Sequence, residues 1–345
     1  MIFNLLSIDL VKQLIGIQLV FIAFLIFSIF GHRLALKIVV SFRTKIREHY
    51  TTIILHALKT SSPFSQIDML KFKVHKQLLV LSLEKIIKDN PKISLKFLEK
   101  TLYFPILQKF GDKRLNSRIW ERRNWAARAL QIFPDAAQEA QVLKLLDDSS
   151  FLNQKTGAEL AVHNLFPKAL EKILYKLHDL HIYGRYYYLN LFSHAEKKVI
   201  EMVKEIGKEK NEMEILASTL WILTIRKDVN DFPLIDRFFE SHRLDYQLIA
   251  LEYVKTHPNK EFLSSCLKFS DTKDIPLIKS LIQVFHYFDD KKVELNLIKW
   301  LDHTSIEVVT LSAWCLYRKG LLHARLLEKS PPLKSLIAYF EKFYA

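Results

Sequence analysis

A chain of 345 residues that is half hydrophobic and carries 51 Lys and Arg against 37 Asp and Glu, for a formal net charge of +14, is not a disordered chain. Its seven Gly and ten Pro fall well below the ordinary ~7% and ~5%, and no Asn-Gly or Asp-Gly dipeptide occurs. This argues against hairpin-rich β folds and Rossmann-type folds and leaves a mostly helical protein.

In chain order, the first element runs from Leu14 to Phe30, LIGIQLVFIAFLIFSIF, with no charge. With its flanks it approaches the ~20 residues needed to cross a bilayer, so a transmembrane helix is expected at about 12–32. Asp9 and Lys12 precede it. Arg33, Lys37, Arg43, Lys45 and Arg47 follow, against Glu48 alone. A cleaved signal peptide has the opposite order, with its basic residues first. The positive-inside rule then puts the N-terminus outside and the remainder in the cytoplasm. The expected organisation is an anchor with a basic juxtamembrane helix over 1–58, a linker at 59–66 and a helical domain over 67–345.

Residues 1–130 hold 22 basic and 8 acidic side chains, whereas residues 131–345 hold 29 of each. The excess charge therefore belongs to the first third, where an anionic cytoplasmic leaflet would attract it. From Gln66, helical spacing puts Leu70, Val74, Leu78, Leu81 and Lys85 on one face and Lys71, Lys73 and Lys76 elsewhere, which predicts an amphipathic helix facing a core or the bilayer surface. The densest basic patch is KFGDKRLNSRIWERRNWAAR, residues 109–128. Lys113, Arg114, Arg118, Arg122 and Arg123 form a candidate site for an anionic partner, and Arg114, Arg118 and Arg122 would form one stripe on a helix. Such a patch is a solvated face, a surface for lipid headgroups or an acidic protein, or, with Trp120 and Trp125, a nucleic-acid site.

From Arg122 onward the chain repeats weakly. Segments centred on Ala127, Ala158, Leu189, Ala217, Ala250, Leu281 and Ala313 recur at intervals of 31, 31, 28, 33, 31 and 32 residues, room for two helices and two turns each. Acidic or polar turns precede several of them: DDSS at 147–150, HRLD ending at Asp245, SDTKD ending at Asp274 and LDHTS at 301–305. Their Asp and Ser side chains are expected to accept free helix amides. Pro134, Pro167 and Pro258 follow segments, where proline stops a helix. The pattern resembles the HEAT-repeat, armadillo-like superfamily, as found in bacterial membrane-anchored proteins with such a domain. The likeness covers roughly residues 95–330, is clearest over 120–330, and departs at Leu189 and Leu281, where larger side chains replace Ala. It implies an all-α chain, a transmembrane helix followed by an α-solenoid of helix pairs with a concave, protein-binding face.

Chemistry is harder to find. There is no HExxH, GxGxxG, GKS or GKT loop, or GxSxG. His178, His181 and His194 lack the converging ligands a zinc site needs, so neither metal nor cofactor is expected. Cys266 and Cys315 are too few for a disulfide framework, suit a reducing compartment and read as small buried hydrophobes. Tyr186, Tyr187 and Tyr188 are candidate groove aromatics, although three consecutive residues on a helix face three directions.

The expected function is that of a non-enzymatic scaffold or adaptor in a bacterial inner membrane, accessory to an envelope secretion or polysaccharide assembly. Its expected partners are membrane-associated proteins and anionic lipid. Some HEAT-like solenoids are DNA glycosylases with a basic concave face, which makes a nucleic-acid enzyme using residues 109–128 the alternative. The net-neutral repeats argue against it.

Overall fold

The structure, a computed structural model, describes residues 8–91, 93–226, 234–321 and Ser335, with the side chains of 8–12 and 182 left aside. Among the described residues every regular element is a helix and none is a strand. The chain divides into two compact units, Met1–Gln141 with Asp148–Thr156, and Val142–Asp147 with Gly157–Ala345.

The first unit opens with α1 (Ile8–Thr60), a helix of 53 residues, about 80 Å long at 1.5 Å per residue. Every residue from Gln13 to Arg43 is exposed. Among the described residues α1 is the one helix long and apolar enough to cross a membrane. Its other end is built into protein. Tyr50, Ile54 and Ala57 recur at helical spacing, are buried, and lie on the stretch that packs against α3 (Lys76–Asp89). The Tyr50 hydroxyl donates to the Lys71 carbonyl at 3.0 Å, and the Ser82 hydroxyl lies 3.2 Å from the Arg47 carbonyl.

After α1 the backbone turns at Ser61, with φ of 52°, and Ser65 caps α2 (Gln66–Val74) by accepting the Asp68 amide at 3.1 Å. The amphipathic stretch from Gln66 forms as two helices, because the backbone departs from helical angles at His75 (φ −110°, ψ 51°). The buried set differs too: Leu70 and Val74 are exposed, while Phe72, Leu79, Val80, Leu83 and Ile86 are buried. Phe72 decides this. Its ring packs edge-on against Tyr50 at 4.9 Å and Phe64 at 5.4 Å, and on a helix it points away from Leu70 and Val74.

Next come α4 (Lys96–Leu98), a π-helical stretch Glu99–Leu107, and α5 (Gln108–Leu115). Pro105 lies inside the π stretch, where its missing amide removes one i to i−4 bond. α5 then packs on α6 (Trp120–Ile132), and α3 does the same. The boundary between the units falls within α7 (Glu139–Leu146) and α8 (Phe151–Asn164).

The second unit holds α9 (Pro167–Asp179), α10 (Ile182–Ser193), α11 (Lys197–Lys210), α12 (Met213–Ile225), α13 (Asp236–Phe239), α14 (Leu244–Thr256), α15 (Leu263–Leu267), α16 (Ile275–Phe285), α17 (Lys291–Lys299) and α18 (Ile306–Arg318). α9 packs on α12, α12 on α14, α14 on α16 and α16 on α18. Ala217, Ala250, Leu281 and Ala313 are all buried on these helices. Leu189 of α10 breaks the series: it is only half-buried, and Tyr188 and Phe192 take the inward positions.

The helix ends carry a second regularity. Arg226, the C-cap of α12, donates to the Ala195 carbonyl at 2.5 Å. His257, the C-cap of α14, donates from Nε2 to the Arg226 carbonyl at 2.8 Å. Lys319, the C-cap of α18, donates to the Phe288 carbonyl at 2.9 Å. Each of these bonds spans 31 residues, and each satisfies a carbonyl near a helix end that its own helix leaves free.

The expected N-caps form only in part. Asp274 and Ser305 stand at N-cap positions of α16 and α18 without bonding a helix amide through their side chains. Pro276 in the first turn of α16 removes one amide that an N-cap would meet. Side-chain caps form at Asn259 and Asp290 instead. Pro134 and Pro258 follow helix ends as expected, whereas Pro167 starts α9.

Candidate functional site

Within the first unit, three walls drawn from five helices enclose a cleft of about 1000 Å³. From α1 come Val40, Arg43, Thr44 and Arg47, whose spacing places them on one face. The kink between α2 and α3 supplies Lys73, Val74, His75, Lys76, Gln77, Leu78 and Leu81. The third wall is Lys109, Phe110, Lys113 and Arg114 of α5, Ser117, and Arg122 and Trp125 of α6. Eight of these side chains are Lys or Arg, and no described Asp or Glu lines the cleft.

Four nearby acids are engaged elsewhere. Glu84 accepts from Arg128 Nε at 2.6 Å, Asp112 from Gln141 at 2.7 Å and Asp68 from the Ser65 hydroxyl at 2.6 Å. Asp148, its side chain 1% exposed, accepts from Arg123 Nη2 at 2.8 Å, the Ser150 amide at 2.8 Å and Asn153 at 3.0 Å. Burial pushes the Asp148 carboxyl up, but these hydrogen bonds and the Arg123 charge outweigh it and hold the pKa below the ordinary carboxylate value.

Among the described residues, the cations of the cleft form no such ion pairs. Arg114 lies 4.4 Å over the Phe110 ring and Lys76 lies 5.9 Å from it, contacts that hold cations without neutralising them. Burial, and secondarily the charge of Arg122, hold the Arg114 pKa below its usual value. The Arg47 Nε is buried with no hydrogen-bond partner. Like charges concentrated in a partly enclosed space repel one another and create a positive potential that an anion relieves.

The residues singled out from the sequence separate into two groups. Arg43 and Arg47 line the cleft together with Lys113, Arg114 and Arg122. Arg33, Lys37 and Lys45 are exposed on α1 outside it. Arg118 is exposed off the cleft, and Arg123 is held by Asp148. The single stripe of Arg114, Arg118 and Arg122 does not form, because the chain leaves the helix at Asn116–Ile119. There Asn116 bonds the Asp112 carbonyl at 3.0 Å and Ser117 accepts the Ile119 amide at 3.2 Å, side-chain bonds that compete with a continuing helix. The convergence of Lys73, Lys76 and His75 on the same space went unread. The available signal was the charge imbalance of residues 1–130, which counted these lysines without placing them.

The tyrosines of α10 do point three ways and are not gathered on one face. Tyr186 is exposed, Tyr187 lies 3.4 Å from the Glu159 carboxylate, and Tyr188 is fully buried. Their neighbour Arg185 sits 4.1 Å over the Trp221 ring and donates to the His178 carbonyl at 2.7 Å. Among the described residues no group of three or more His, Cys, Asp or Glu is placed to hold a metal ion. Cys266 and Cys315 are buried free thiols, pushed up by burial to about 12 and about 11.

Fold and site together define a protein, all-helical among the described residues, in which a helix long and apolar enough to cross a membrane is continuous with one wall of a cation-lined cleft. No known protein family and no curated protein matches the chain.

Proposed function

We propose that the protein is a single-pass membrane-anchored adaptor whose helical body lies on the cytoplasmic side and binds other proteins. The observation that carries this is the exposed apolar surface of α1 from Leu14 to Phe30, on a helix whose far end is packed into a folded unit. Burying a large apolar side chain is worth roughly 1.5–3 kcal/mol. Leaving this run in water rather than in an apolar phase therefore forgoes tens of kcal/mol of transfer free energy. Insertion in a bilayer recovers it. Arg33 and Lys37, exposed just past the run, favour the side with the anionic leaflet.

The body is, in this reading, a HEAT-like array. Support comes from the succession of packed helices α9, α12, α14, α16 and α18 and from the C-cap bonds that recur over 31 residues. Fractionation tests the anchor: the chain is expected to stay with membranes in high salt and to leave them in detergent. A chain recovered soluble at low salt without detergent overturns the proposal. Cross-linking in detergent-solubilised membranes then identifies the bound proteins.

A further inference from the structure

We infer that the cleft of the first unit is a binding site for a soluble ligand carrying two or more phosphates. The charge argument is direct. The cleft gathers eight Lys and Arg side chains with no acidic side chain lining it, and the nearby acids Glu84, Asp112 and Asp148 are bonded to other partners. Its volume of about 1000 Å³ is at the upper end of small-molecule sites. Arg side chains on two walls, Arg43 and Arg47 opposite Arg114 and Arg122, provide forked donors that match phosphate oxygens.

Distance selects the source of the phosphate, and this step rests on α1 crossing a bilayer. With the hydrocarbon edge near His32, residues Val40–Arg47 stand about 12–23 Å further along the helix. The headgroup layer is only about 5–8 Å deep, and an ordinary tilt of about 20° shortens the helix projection by less than a tenth. Lipid phosphates therefore meet Arg33 and Lys37, and the α1 residues that line the cleft lie beyond them along the helix.

The test uses the full chain in phosphatidylcholine nanodiscs, titrated calorimetrically with inorganic tripolyphosphate. The expected result is one site per chain, with affinity that falls as salt rises. Lys113→Ala combined with Arg122→Ala, both exposed on the cleft wall, is expected to weaken binding by about tenfold or more. Arg118→Ala, exposed off the cleft, leaves it unchanged. Absence of binding at low salt, or equal weakening by Arg118→Ala, overturns the site. Loss of tripolyphosphate binding when phosphatidic acid is added to the nanodisc assigns the cleft to lipid headgroups and overturns the soluble ligand. An oligonucleotide or acidic peptide that binds far more tightly with the same dependence on Lys113 and Arg122 overturns it in favour of a macromolecule. The titration is repeated in neutral detergent. Binding there with a failed fractionation test removes only the anchor, and an intact anchor without binding removes only the site.

Discussion

The imidazole of His257 donates from Nε2 to the carbonyl of Arg226, 2.8 Å away and 31 residues earlier in the chain. A carbonyl only accepts, so in this bond Nε2 is the donor. The bond closes the end of α14 onto the end of α12, and Lys319, at the end of α18, does the same for Phe288 two repeats further on. The interval of the weak sequence repeat is thus the interval of a physical bond.

Replacing His257, which is 8% exposed, with Ala removes that bond and leaves the Arg226 carbonyl without its His257 donor. A loss of about 1–3 kcal/mol is expected. Urea unfolding of the detergent-solubilised chain measures it as a lower midpoint, and an unchanged midpoint would show that the ladder contributes nothing to stability.

For Asp148 the consequence is a dependence on pH. Its folded-state pKa is held below the ordinary value, so its contribution is complete above the unfolded pKa of about 4 and is lost as pH falls through the folded value. The first unit is expected to lose thermal stability in acid below about pH 4. Asp148→Asn leaves Arg123 without its counter-charge in a partly buried position, and is expected to cost about 3–5 kcal/mol at neutral pH. The variant should also lose less on acidification than the parent. Melting curves across pH check both, and parallel curves for the two proteins would contradict the assignment.

Phe72 is fully buried between Tyr50 and Phe64. Phe72→Ala is expected to destabilise the first unit by about 3–5 kcal/mol and to weaken the near-ultraviolet signal of its aromatic cluster. Leu70→Ala, on the exposed side of α2, should be nearly neutral. Equal effects would restore the face first read from the sequence.

Leu19 and Ile22 lie in the middle of the exposed apolar run. Changing both to Arg adds about 2.5–3.5 kcal/mol each to the cost of insertion and should shift the chain out of the membrane fraction. Retention equal to the parent would mean that α1 is held at the membrane by something other than its apolar surface.

Sequence alone made the long elements plain and left the cleft obscure. The apolar run of α1 is continuous, so no packing context was needed to see it. Ala217, Ala250 and Ala313 are buried where their spacing predicted, because small residues recur where helices approach closely. The cleft depends on two interruptions that periodicity smooths over. One is at His75, where the packing of Phe72 sets which face turns inward. The other is at Asn116–Ile119, where short polar side chains take over backbone bonds. Each redirects a set of lysines and arginines, and linear spacing gave no measure of either turn. The exit of Arg123 from the patch is equally hidden in the sequence, since its partner Asp148 is 25 residues away within a turn, DDSS, whose pattern suggests capping.

α1 is unbroken from Ile8 to Thr60, so it has no joint between its exposed apolar stretch and the wall it lends to the cleft. A rod of this kind transmits torque. Each residue of a helix is set about 100° from the last, and any turn of the apolar stretch about its own axis carries Arg43 and Arg47 through the same angle. Since Tyr50 is locked to Lys71 and Phe72, such a turn must either move the first unit bodily or strain that lock.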